Sequence, residues 1–104
     1  MADHSVVLPL PVIPPEVLTF ATERGVSSYL PAAINLARQA FPSSALVVSL
    51  GEDAEDETHR YIALDVEVGG LSIEEILAAQ RTWSAGITTV CPSRHAVYFV
   101  LGWR

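Results

Sequence analysis

Hydrophobic residues follow two different periods along this chain, and the period predicts which segments are strands and which are helices. Residues 60–68 alternate between apolar and other side chains, with Ile62 and Leu64 on the apolar face, as in a half-buried strand. The apolar run 45–50 is too short for a free-standing helix and predicts an earlier strand. The run 95–103 is apolar on both faces and predicts a last strand.

Two helices are predicted before the first strand. The prolines at 14–15 suit a first helical turn, and Gly25 supplies the stop. Ser27 or Ser28 is expected to cap a second helix, which Pro42 ends.

A third helix is predicted between the second and last strands. Ser72 and Glu75 have the spacing of a capping box, and Leu71 and Ile76 have that of a hydrophobic staple. The apolar period continues to about Val90, which is the expected end of this helix.

The order ααββαβ predicts an α+β fold with a three-stranded sheet and its helices on one face. The first two strands form a hairpin, and a right-handed crossover makes the last strand parallel to the second. The expected strand order is 2-1-3, with the first strand in the middle.

Length and the N-terminal residues define the expected organisation. With 104 residues the chain suits one domain, assigned to residues 14–104. Residues 1–13 form an apolar, proline-rich arm that includes Leu8 and Leu10, and it is expected to be extended and to pack on its own domain or on a second copy. No apolar run reaches the roughly 18–20 residues of a membrane helix, and one Cys allows no internal disulfide, so we expect a cytoplasmic protein.

The formal net charge of −6 is concentrated in one segment. A nucleic-acid partner is not expected, because it requires a basic surface. The segment lacks the glycine and the alternate spacing of a calcium-binding loop, so a solvated hairpin loop is the favoured interpretation, and a surface for a basic protein partner is the alternative. The acidic residues are Glu52, Asp53, Glu55, Asp56 and Glu57.

A thiol, a guanidinium and an imidazole come close together in sequence at Cys91, Arg94 and His95, and His59 begins the second strand. These residues are the weak candidates for a catalytic or ligand-binding site. A thiol just after a helix lies at the negative end of the helix dipole, which disfavours a reactive thiolate, so a structural cysteine is preferred. No metal or cofactor is expected.

The leading hypothesis is a non-catalytic interaction or regulatory module that self-associates as a dimer. A last strand that is apolar on both faces leaves an edge that proteins normally cover. The alternative is a small enzyme or ligand-binding protein with a site near His59, Cys91, Arg94 and His95. The residues expected at the interface are Tyr98, Val100, Leu101 and Trp103 of the last strand, with Leu8 and Leu10 of the arm.

Overall fold

The order of helices and strands comes from a computed structural model that describes residues 11–42, 44–52, 55 and 59–104. It confirms the α+β class and the three-stranded sheet. Most of the predicted arm, including Leu8 and Leu10, lies outside the described residues, as do Asp53, Asp56 and Glu57. The elements are α1 (Pro15–Glu23), a 3-10 turn (Ser27–Tyr29), α2 (Leu30–Ala40), β1 (Leu46–Glu52), β2 (Arg60–Val66), α3 (Ile73–Val90), α4 (Ser93–Ala96) and β3 (Phe99–Trp103).

The strand order is β1-β2-β3, so the predicted order 2-1-3 is wrong. β1 and β2 form the expected antiparallel hairpin, with Leu46 opposite Val66, and β3 runs parallel to β2, with Ile62 opposite Phe99. The crossover rule fixes the direction of the last strand but leaves open which neighbour it joins.

Burial explains why β2 takes the central place. Ile62 and Leu64 are fully buried and Ala63 is 9% exposed, so three successive residues of β2 are covered on both faces. In each outer strand a single residue is buried, Val48 in β1 and Phe99 in β3. A central strand is covered by neighbours along both edges, and the continuous run Ile62-Ala63-Leu64 suits that environment.

The last strand begins at Phe99 and not at His95, which corrects the predicted bounds. Pro92 ends the previous segment, and its carbonyl accepts the N–H groups of His95 at 2.8 Å and Ala96 at 2.9 Å. These bonds make the short helix α4 and place His95 in a helical turn.

The helix ends are confirmed with one exception. α2 has Pro31 in its first turn, but no side chain caps it, so the expected cap from Ser27 or Ser28 is wrong. At α3 the capping box is present, because Ser72 accepts the N–H of Glu75 at 3.1 Å and donates its own N–H to the Glu75 carboxylate at 2.9 Å.

The core lies between the helices and the sheet. Val17 of α1, Ala33 of α2 and Trp83 of α3 belong to one buried cluster with Ile62 and Leu64 of β2. The indole N–H of Trp83 donates to the Ala33 carbonyl at 3.4 Å, which gives its buried polar atom a partner. The buried cluster therefore includes side chains of all three long helices and of the central strand.

Candidate interaction surface

β3 forms one edge of the sheet, and its backbone bonds show which of its groups point inward. The Tyr98 carbonyl accepts the Ile62 N–H at 2.7 Å, and the Arg104 N–H donates to the Val66 carbonyl at 2.9 Å. Because backbone groups alternate along a strand, the intervening odd-numbered residues direct their N–H and C=O groups away from β2. Those residues are Phe99, Leu101 and Trp103.

Exposed apolar side chains lie on β3 and on α3. Trp103 is 42% exposed, and Val100 is also 42% exposed. On α3, Ile73 is 75% exposed and Leu77 is 41% exposed. We call the backbone of β3 together with the exposed side chains of Val100 and Trp103 the β3 edge surface.

The two faces of the sheet differ in exposure. Val48, Leu64 and Phe99 are at most 4% exposed and belong to the core cluster. On the opposite face Val47 is 37% exposed and Val100 is 42% exposed. The second face therefore leaves apolar surface uncovered on both outer strands.

Tyr98, one of the predicted interface residues, packs within its own chain. Its ring meets Phe20 edge to face at 5.9 Å, and the guanidinium of Arg24 lies 5.9 Å from the same ring. Leu101 is half-buried and packs against the core cluster. Of the four predicted residues in β3 and before it, Val100 and Trp103 are thus the most exposed.

The residues suggested for catalysis differ in their environments. Cys91 is 3% exposed, and burial raises the pKa of its thiol, which keeps it protonated at neutral pH. His95 lies 5.5 Å from the Tyr29 ring, and its buried Nδ1 has no hydrogen-bond partner. Arg94 and His59 are exposed. In the part of the chain that the structure describes, no three His, Cys, Asp or Glu side chains come together to hold a metal ion.

The acidic segment is described only at two of its glutamates. Glu52 and Glu55 are exposed, and the Glu52 carboxylate lies 3.6 Å from the Arg60 guanidinium. Both members of that ion pair are at least half exposed, so solvent screens their attraction. Among the described residues, no helix is long and apolar enough to cross a membrane.

A groove of about 460 Å³ opens between the end of α2 and the start of α3. The sequence predicted the capping box that contains Glu75 but did not predict that this residue lines a groove. A groove formed by small residues from two distant segments leaves no periodic pattern that could have revealed it. Its lining residues are Ala40, Phe41, Pro42, Ser44, Leu71, Glu75, Ala78, Ala79 and Thr82.

Comparisons with known proteins give no further guide to function. No protein-family model, curated protein or solved structure matches the chain. Function is therefore inferred from the surfaces described above.

Proposed function

We propose that this protein is a small, non-catalytic interaction module that self-associates as a dimer through the β3 edge surface. The observation that carries the proposal is the composition of β3, whose five residues Phe99–Trp103 include no charge and no proline. Natural edge strands are normally protected by charged residues, prolines or bulges against pairing with another chain. An apolar edge without these features is suited to accept a strand.

A second copy can supply that strand in an antiparallel arrangement. With the two-fold axis at Leu101, each Phe99 lies opposite Trp103 of the other copy. The three residues of β3 whose backbone groups point away from β2 then exchange hydrogen bonds with the same residues of the other copy, about six in total. The two three-stranded sheets become one continuous sheet of six strands.

The exposed flank of α3 supports the same arrangement. α1 contacts β1, α2 contacts β2 and α3 packs on α2, so we infer that the three long helices form one layer on one face of the sheet. On the α3 wheel, Ile73 and Leu77 lie on the side away from Glu75 and the α2 groove. A two-fold axis at Leu101 keeps the helical layers of both copies on the same face of the joined sheet, and we propose that these apolar residues of α3 lie between the copies. Closely packed apolar side chains at the centre of an interface contribute most of its affinity.

The proposal is tested by measuring mass against concentration, by light scattering after size exclusion or by sedimentation. Trp103→Lys places a charge on the β3 edge at a residue that is already 42% exposed, so the fold should tolerate it. Val47→Lys is the matched control, because Val47 is 37% exposed on the opposite edge strand. We expect a dimer for the natural sequence and for Val47→Lys, and a folded monomer for Trp103→Lys.

Two results would refute self-association through this surface. One is a monomeric natural protein at the highest concentration tested. The other is a folded Trp103→Lys variant that remains as dimeric as the control. Far-ultraviolet circular dichroism of each variant shows that the fold is intact.

The acidic loop and the single cysteine fit this proposal. A cytoplasmic setting agrees with one cysteine whose thiol is buried. The exposed Glu52 and Glu55 carry negative charge that attracts a basic protein partner. In this proposal the β3 edge binds the second copy of the chain.

A further inference from the structure

The groove between α2 and α3 shares no residue with the β3 edge surface, and most of the described residues that line it are apolar. Ala40 from α2, Ala79 from α3 and Leu71 before α3 are half-buried in its walls. A volume of about 460 Å³ lies within the range of roughly 300–1,000 Å³ typical of sites that hold a ligand. The groove therefore presents apolar surface that suits an apolar occupant.

The course of α1 and α2 indicates that the groove lies toward the same end of the molecule as the start of α1. Phe20, in the second half of α1, packs on Tyr98 just before β3. Tyr29, just before α2, lies 5.5 Å from the His95 ring of α4. α1 therefore ends, and α2 begins, near the start of β3. The start of α1 and the end of α2 then both lie toward the opposite end of the sheet.

The residues before α1 favour a polyproline II helix. Pro14 already has the backbone angles of that helix, with φ −60° and ψ 146°. Pro9 and Pro11 restrict φ to a similar value, and each disfavours the α-helical conformation in the residue before it. A chain that favours one extended conformation loses little entropy when it binds in a groove.

The three-residue repeat of a polyproline II helix gives the arm one continuous apolar face. Ile13 packs against the core cluster, whereas its neighbour Val12 is 86% exposed. The residues three and six positions before Ile13 share its face, and they are Leu10 and Val7. The face that begins at Ile13 therefore continues with side chains that favour burial.

We propose that the arm crosses the end of α2 and places Val7 in the groove of its own chain. Along a polyproline II helix, Val7 is about 19 Å from Ile13. Neighbouring helices in a layer are about 8–10 Å apart, so the groove beyond α2 is roughly 15 Å from α1. Val7 therefore reaches the groove, and Leu10 covers the end of α2 on the way.

Two features favour the arm of the same chain over a separate peptide. A short tether keeps the arm at an effective concentration in the millimolar range. Residues 5–10 carry no charge, which suits a groove whose described walls are mostly apolar. This proposal does not depend on the dimer, because the arm does not use the β3 edge surface.

The test is backbone amide NMR with a nitroxide spin label on Ser5→Cys, since the label broadens the signals of amides near it. Cys91 is 3% exposed, so the label attaches at position 5, and the natural protein treated in the same way should take none. Position 5 lies two residues before Val7 and on a different face of the polyproline II helix, so the label does not block the contact.

We expect strong broadening at Ala40 and Ala79 in the groove and little at Val47 and Val100, which lie on the opposite face of the sheet. Uniform broadening, or broadening centred on Val47 and Val100, would overturn the proposal. The same pattern should appear in the Trp103→Lys background, so the result does not depend on whether the natural protein forms a dimer.

A mixed sample identifies the chain that supplies the arm. Spin-labelled chains without isotope are unfolded and refolded together with isotope-labelled chains that carry no spin label. The groove amides should then stay sharp, because each arm binds its own chain. Broadening at Ala40 and Ala79 as strong as in the doubly labelled chain would show that a second copy supplies the arm, and the assignment to the same chain would be wrong.

Two neighbouring valines give a matched pair of variants in the spin-labelled protein. Val7→Asp places a charge on the face that enters the groove, whereas Val6→Asp places the same charge on the face that continues from the exposed Val12. We expect the broadening in the groove to be lost in Val7→Asp and kept in Val6→Asp. Equal loss in both variants would contradict the predicted face of the arm.

Filling the groove gives an independent check. Ala79→Leu places a larger side chain in the proposed space and should release the arm, which is seen as loss of broadening at Ala40. Ala85→Leu is the control, because Ala85 is exposed on the same helix and does not line the groove. A folded Ala79→Leu variant that keeps the broadening of the control would place the arm elsewhere.

Discussion

Gly86 lies in the interior of α3, where replacement by alanine should destabilise the protein moderately unless Leu36 is also changed. A β-carbon built at Gly86 would lie 2.6 Å from Cδ2 of Leu36 and 3.3 Å from its Cδ1. Carbon atoms in contact are normally about 3.5–4.0 Å apart, so the leucine must move by about 1 Å. The glycine therefore lies where the Leu36 side chain of α2 packs directly against the backbone of α3.

The magnitude follows from two opposing effects. Alanine in place of glycine in a helix interior stabilises the protein by about 1 kcal/mol. Forcing Leu36 out of its packed position costs about 1–3 kcal/mol. We expect Gly86→Ala to lower the free energy of unfolding by about 1 kcal/mol, which is a fall in Tm of roughly 4–8 °C for a domain of this size.

The assay is a double-mutant cycle measured by urea unfolding with tryptophan fluorescence. In a Leu36→Ala background the clash is absent, so Gly86→Ala should stabilise by about 1 kcal/mol, and the coupling energy should be about 2 kcal/mol. Ser84→Ala, at an exposed position of the same helix, reports propensity alone and should stabilise slightly in both backgrounds. If Gly86→Ala stabilises the natural protein as much as it does the Leu36→Ala variant, the close approach of the two helices is wrong.

The remaining predictions concern the start of α3 and the turn before it. Ser72→Ala should cost about 1 kcal/mol in unfolding free energy at neutral pH. The hydrogen bonds from Ser72 lower the pKa of Glu75 below its usual value of 4.5 in the folded state. The ionised carboxylate therefore stabilises the fold above its unfolded pKa, and this stabilisation is lost as the pH falls through its folded pKa. Unfolding curves from pH 7 to pH 3 should show this loss, and Glu75→Gln should remove it. Gly70→Ala should lower the free energy of unfolding by about 1–2 kcal/mol, because Gly70 has φ +92°, and a thermal melt measures this loss. Gly69→Ala, at the neighbouring open position, should lower it much less. Equal losses would exclude backbone strain as the cause.

The sequence predicted the elements well where one local signal determined them. The capping box at Ser72 and the apolar period fixed the start and end of α3, including its continuation past Gly86. The alternation in residues 60–68 predicted β2, which the structure ends at Val66. These features depend on neighbouring residues only, so they can be predicted without knowing the rest of the fold.

The strand order and the start of β3 were wrong because they depend on competition between distant segments. The run Ile62-Ala63-Leu64 is buried on both faces, a sign of a central strand that the alternating pattern around it obscured. The segment Ser93–Ala96 forms a helical turn because the Pro92 carbonyl captures the N–H of His95 and that of Ala96. Propensity over so few residues does not decide between a turn and a strand.

The candidate surfaces were only partly predictable for the same reason. The apolar character of β3 was visible in the sequence, and Val100 and Trp103 are exposed, whereas Tyr98 packs on Phe20. The groove depends on Ala40 lying opposite Ala78, two residues far apart in the chain. Only the packing of α2 on α3 brings them together.

The parallel pairing of β2 with β3 also determines the order in which the sheet assembles. Glu52 and Arg60 begin the β1–β2 pairing across a short loop, whereas Ile62 and Phe99 are paired across 37 residues of chain. Closing the longer loop costs more entropy and requires α3 to be in place, so the hairpin forms early and β3 docks late. Until then the central strand β2 has an open side, which β3 of a neighbouring chain can fill with the same register. Folding at high protein concentration therefore favours exchange of β3 between chains, and dilution during refolding suppresses it.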